Sequence, residues 1–71
     1  MEYNFGTRIK ELRKSKGLTQ KQLAAILKVS EKTIRSWELN RTIPKISKIK
    51  TMSIFFEVRA NYILGLDNII K

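Results

Sequence analysis

Residues 19–37 read TQKQLAAILKVSEKTIRSW. Thr19 can accept a bond from the third backbone N–H of a helix, and Gln22, three residues on, can return it to the Thr19 N–H. Leu23 and Leu27 are four apart and share a face, and Ala24 beside them is small enough to let another helix cross closely. Lys28-Val29 breaks the period and Ser30 offers a second cap. Ile34 and Trp37 then renew an apolar stripe at i, i+3. Two capped helices this short bury little alone and must pack at a steep angle, the helix-turn-helix arrangement.

The rest of the chain is consistent with a small all-α unit. Seventy-one residues make one domain, near the lower size at which a single apolar core holds without staples. There is no cysteine and no histidine, which removes disulfides, thiolate ligands, and the commonest general base and metal ligand. No cofactor, metal or small-molecule ligand is expected, nor an enzyme: no Gly-rich phosphate loop and no convergent carboxylate pair is legible. No apolar run approaches the roughly 18 residues of a membrane span, and the N-terminus has no stretch of signal-peptide type. A cytoplasmic setting is the simplest reading.

The charge is uneven. The net value is +9; residues 1–50 carry 13 basic and 4 acidic side chains, residues 51–71 two of each. One part of the domain is suited to polyanion and the remainder is neutral and apolar, which favours nucleic acid as partner. Anionic membrane would need the bases on one face of a single exposed helix, whereas here they are spread over several.

Outside the opening stretch, Phe5, Ile9 and Leu12 give a first helix, about 4–16, a core face. Gly17 stops it, and Leu18 packs under the turn. The second helix is expected over 20–27 and the third over about 31–39, with Asn40 taking positive φ and Pro44 fixing the following loop. A fourth helix, about 46–56, puts Ile46, Ile49, Met52, Ser53 and Phe56 on one side, with Lys48 and Lys50 off it. A fifth, about 60–64, ends at Gly65. The expected architecture is a compact all-α domain of five helices spanning 1–71, with the motif at about 19–39 and a tail at 66–71.

The strings RIKELRKSKGLTQKQLA, VSEKTIRSWE, IP, FF-V and NYILG, in this order, resemble the lambda-repressor and Cro-like helix-turn-helix proteins, the XRE family. The likeness covers about 5–65, and GLTQ-x-x-LA followed by Trp-Glu is a specific signal. The resemblance implies a prokaryotic or phage-encoded, nucleoid-associated domain that binds operator DNA, usually as a dimer on two half-sites. It implies a base-reading role for Lys32, with Ser36 one turn later and Ser30, Glu31 and Thr33 beside them; Lys32 suits guanine O6 or N7. Glu31 can accept from a cytosine amino group or serve only as complement to the helix dipole. Phosphate contacts are implied for Gln20 at the start of the second helix, with Thr19 and Lys28, for Arg35 at the side of the third helix, and for Asn40, Arg41 and Thr42 after it. A role for Gln20 in capping is compatible with this. Arg13 and Glu38 match positions that commonly pair to orient the third helix.

Several positions depart from the family pattern. Lys28 stands where glycine is frequent, at about 1 kcal/mol if its φ is positive. Lys45 replaces a capping serine, so that Ser47 is left to help; Glu57 replaces a terminal glycine, and Arg59 a cap. Ile26, Ile54 and Phe55 fall where the family is often polar, and Leu66, Ile69 and Ile70 extend past it. Ile54, Phe55, Leu66, Ile69 and Ile70 are therefore candidates for a symmetric dimer seam away from the basic half. The expected function is sequence-specific binding of double-stranded DNA in transcription regulation, by a repressor or Cro-like switch protein, freestanding or a fragment. An antitoxin or a restriction-modification controller with the same domain is the alternative. The six residues after Gly65 leave little room for a partner-wrapping segment.

Overall fold

The chain is described here from a computed structural model over residues 4–65. These form α1 (Phe5–Ser15), α2 (Gln20–Leu27), α3 (Glu31–Glu38), α4 (Ile46–Phe56) and α5 (Ala60–Leu64), with no strand among the described residues. The helices surround one core to which each contributes a side chain closed to solvent: Ile9 from α1, Leu23 and Leu27 from α2, Ile34 from α3, Met52 from α4 and Ile63 from α5. Phe5, Ala24, Trp37, Ile49 and Phe56 complete it.

A left-handed residue follows every helix: Gly17, Lys28, Asn40, Glu57 and Gly65. At the first four, the next backbone N–H reaches back over the turn: Leu18 to the Arg13 carbonyl, Val29 to Ala24, Arg41 to Ser36 and Val58 to Ser53, at 2.9–3.1 Å. This is the Schellman closure. Three of these following residues, Leu18, Val29 and Val58, pack against the core, so each turn is held by a bond and an apolar contact together.

Lys28 (φ 60) and Glu57 (φ 58) occupy this region with a Cβ, at a steric cost that glycine avoids. Glu57→Gly is expected to raise stability by about 0.5–1 kcal/mol, seen as a higher urea midpoint at unchanged slope. Lys28→Gly should do the same while weakening attraction to polyanion. An unchanged or lower midpoint in both variants would mean that these turns are unstrained.

Two expectations for α4 need correction. Ile46 does not share the core face; it is 77% exposed. At 100° per residue it lies roughly 90° from the centre of the buried Ile49–Met52–Phe56 stripe and runs instead with Lys50 and Ile54. Ser47 does not cap the helix: Lys45 is the N-cap residue, without a side-chain bond. Lys48, off the core face as expected, donates through Nζ to the Leu27 carbonyl at 2.8 Å. It thereby satisfies the end of α2 from α4, complementing the negative end of that helix dipole.

Candidate nucleic-acid interface

Each helix of the motif starts on local side-chain bonds. Thr19 Oγ1 accepts from the Gln22 N–H at 3.0 Å, and Gln22 Oε1 accepts from the Thr19 N–H at 2.9 Å. Ser30 Oγ accepts from the Thr33 N–H at 3.1 Å and lies 2.9 Å from the Thr33 hydroxyl. The inner side of α3 is buried through Ile34 and Trp37, while Glu31, Lys32 and Arg35 are exposed on its outer side. Glu31 falls in the first turn, where an acidic side chain complements the helix dipole.

Arg13 and Glu38 fix α3 to α1. Arg13 Nε donates to Glu38 Oε2 at 2.6 Å and Nη2 to Oε1 at 3.1 Å, a two-pronged pair whose side chains are 9% and 3% exposed. Arg13 Nη1 donates to the Leu18 carbonyl at 2.8 Å. Gln20 Nε2 adds a bond to Glu38 Oε1 at 3.0 Å. Gln20 is therefore not part of the capping box, which Thr19 and Gln22 complete between themselves. Its side chain ties the start of α2 to the end of α3, and its backbone N–H stays at the α2 terminus.

The structure thus divides the expected contact residues into two groups. Glu31, Lys32, Arg35 and Arg41 are exposed, as is Lys28 in the turn, and no partner within the described chain engages their charged ends. Ser30 and Thr33 bond each other, Ser36 Oγ lies 2.8 Å from Thr42 Oγ1, and Asn40 Oδ1 accepts the Gly6 N–H at 3.0 Å. The first group leaves its charged ends open to solvent on the outer side of the motif. The second fixes the backbone that carries them.

Composition and periodicity gave no warning of two residues that hold this surface in place. Gly6, inside α1, lies so close to the end of α3 that a Cβ there would fall 2.6 Å from the Trp37 carbonyl oxygen. Arg8 Nη1 donates to the Tyr62 carbonyl at 3.1 Å, with its guanidinium 4.3 Å from the centroid of that ring, and so fastens α5 to α1. A glycine without a turn to serve was the available signal for the first; an arginine on a helix face carries none.

Of the residues expected to join two copies, only Ile54 and Phe55 lie among the described residues. Ile54 is 71% exposed and, with Ile46, Ile49, Ala60 and Leu64, lines an open apolar groove of about 450 Å³ between α4 and α5. Phe55 is half-buried: its ring meets Phe56 edge-on at 4.9 Å, and the Lys16 ammonium lies 5.3 Å from its centroid. Leu66, Ile69 and Ile70 lie outside the described residues. No helix among the described residues is long and apolar enough to cross a membrane.

A capped two-helix motif, its second helix locked to the scaffold and carrying basic side chains on its outer face, defines a helix-turn-helix DNA-binding fold. The helix-turn-helix family profile matches residues 9–63, and the chain belongs to that family, in its XRE-type branch. The family consists of DNA-binding transcriptional regulators rather than enzymes. The chain is 37% identical over 66 residues to the HTH-type transcriptional activator BcrR of Enterococcus faecalis, covering 93% of this chain and 32% of that protein. It is 29% identical over 68 residues to the HTH-type transcriptional regulator ImmR of Bacillus subtilis, covering 96% of this chain and 54% of that one. It thus spans about a third and about half of the length of these two relatives. Among solved structures, the P22 c2 repressor in complex with a synthetic operator superposes with a TM-score of 0.83 at 27% identity, covering 94% of this chain and all of that one.

Proposed function

We propose that this chain binds double-stranded DNA sequence-specifically and regulates transcription as a repressor or Cro-like switch, acting as a dimer on a near-palindromic operator. The observation that carries this reading is the orientation of α3. Its apolar side is closed into the core, the Arg13–Glu38 pair holds its last turn, and Lys32 and Arg35 face outward. A helix held in this way can enter a major groove as a rigid body, with Lys32 offering donors to guanine O6 and N7. Lys28, Arg35 and Arg41 supply the charge that releases counterions from phosphates, so affinity should fall steeply with salt. Gln20 contributes its backbone N–H at the α2 terminus, where a phosphate oxygen is favoured.

Selection of binding sites from random DNA tests this reading. Enrichment of a palindrome with half-sites about one helical turn, roughly 34 Å, apart is the expected result. No enrichment over nonspecific binding would overturn it.

The dimer makes a separate prediction. A second copy covering the α4–α5 groove would remove Ile54 and Ile46 from water. Ile54→Glu should leave the monomer fold intact, because the side chain is exposed, and should abolish self-association while lowering affinity for a two-half-site operator at least tenfold. Sedimentation of the wild-type chain as a monomer at high concentration, both free and on DNA, would exclude the seam.

A further inference from the structure

Ser36 and Thr42, both on the surface expected to meet DNA, bond each other across the end of α3. Ser36 is half-buried on α3, one turn after Lys32, and its hydroxyl oxygen lies 2.8 Å from that of Thr42 in the loop after the helix. Three observations show that the loop is itself fixed. The Arg41 N–H donates to the Ser36 carbonyl at 2.9 Å, Asn40 holds φ 60 with its side chain on the Gly6 N–H, and Pro44 is buried. Thr42 is thus delivered to Ser36 by a braced turn rather than by a mobile loop.

A free serine hydroxyl can turn to donate or to accept, so it suits an acceptor on a base edge and a donor equally well. A hydroxyl already bonded to a fixed neighbour has less choice. If Ser36 donates to Thr42, only its lone pairs face outward, and these suit the exocyclic amine of adenine or cytosine. If Thr42 donates, the Ser36 proton is free to point outward, and it suits guanine O6 and N7, adenine N7 or thymine O4. Either arrangement narrows the set of base edges that Ser36 can satisfy.

We propose that Thr42 is a positioning residue for base discrimination: its hydroxyl locks that of Ser36, so that Ser36 reads one base pair in each half-site. The proposal rests on the DNA-binding reading above and goes beyond it in giving Thr42 a part in specificity rather than in backbone grip alone.

Thr42→Val keeps the shape and removes the hydroxyl; Thr42→Ser restores it. Binding-site selection and titration on operator and random DNA should be run on the wild-type chain, both variants and Ser36→Ala, with melting temperatures as a control for the fold. Thr42→Val should flatten the preference at one base pair per half-site by about three- to tenfold, the scale of one hydrogen bond. Affinity for random DNA, its salt dependence and the melting temperature should stay unchanged. Thr42→Ser should recover the preference, and Ser36→Ala should flatten the same position with no further loss in the double variant. An equal loss on every sequence would make Thr42 a phosphate contact only, and an unaltered preference would leave the pair without a role in reading; either overturns the proposal. If the wild-type chain selects no sequence, the DNA-binding reading itself fails and takes this inference with it.

Discussion

Gly6→Ala is expected to lower the melting temperature sharply, although by helix propensity alone it should stabilise α1 by roughly 0.5–1 kcal/mol. A Cβ at this position would sit 2.6 Å from the Trp37 carbonyl oxygen, 2.7 Å from Asn40 Oδ1 and 2.7 Å from the Glu38 carbonyl oxygen. Two of these atoms are backbone, at the closed end of α3, and cannot rotate away. The third, Asn40 Oδ1, accepts the Gly6 N–H, so moving it leaves a helix N-terminal donor without its partner. Overpacking of this kind costs about 1–3 kcal/mol per site and more where the neighbours are rigid. For a domain whose total stability is on the order of 4–10 kcal/mol, a net loss near 3 kcal/mol should lower the melting temperature by at least about 12 °C. Gly17→Ala is the control. Gly17 has φ 68 but nothing within 4 Å of a Cβ, so its cost should be only the left-handed strain, about 1 kcal/mol. Thermal unfolding followed by circular dichroism distinguishes the two; similar losses would mean that close packing of α1 on α3 is not what holds that junction.

The contrast between these glycines also shows what could be read from the sequence. Gly17, Asn40, the Thr19–Gln22 box and the Ser30 cap are decided within a few residues of chain, so the local spacing of caps and apolar positions is enough to predict them. The core side chains Ile9, Leu23, Leu27, Ile34 and Trp37 follow from helical period. Gly6, Gln20 and Lys48 are different. Each answers to a partner 18 to 34 residues away, and which partner it meets depends on how two helices cross. Ile46 was misjudged for a related reason: an apolar residue at the first turn fits two adjacent stripes, and only the packing of α4 against the core selects one.

The same limit applies to the candidate interface. Helical period was enough to place Glu31, Lys32 and Arg35 on the outer side of α3. It could not reveal that Ser30, Ser36, Asn40 and Thr42 are engaged within the chain. A polar side chain in a loop looks equally available to solvent, to a phosphate or to a neighbouring helix until the backbone places it.

At Glu38 the packing of the fold meets the proposed recognition of DNA, and the two can be separated by experiment. Glu38→Ala would leave the Arg13 guanidinium buried without a countercharge and Gln20 Nε2 without its acceptor, a loss expected at about 3–5 kcal/mol. Glu38→Gln retains an acceptor and should lose less. Replacing both partners by apolar residues of similar volume, Arg13→Met with Glu38→Leu, removes the burden of desolvating two charges; because the Leu18 carbonyl and Gln20 Nε2 lose their partners, it should still cost stability, but less than Glu38→Ala. If the pair served only to hold the fold, the double variant would bind an operator as the wild type does. An orienting pair predicts otherwise. The guanidinium joins Glu38, at the end of α3, to the Leu18 carbonyl before α2, and its directed bonds set an angle that apolar contact does not specify. Compared below its unfolding transition, the double variant should therefore bind random DNA with unchanged affinity. Its preference for operator over random DNA should fall by about tenfold or more, because a base contact on α3 depends on its angle while diffuse attraction to phosphate does not. Glu38→Gln, compared below its unfolding transition, should show the same selective loss in smaller measure. Equal losses on operator and random DNA would reduce the pair to a structural one.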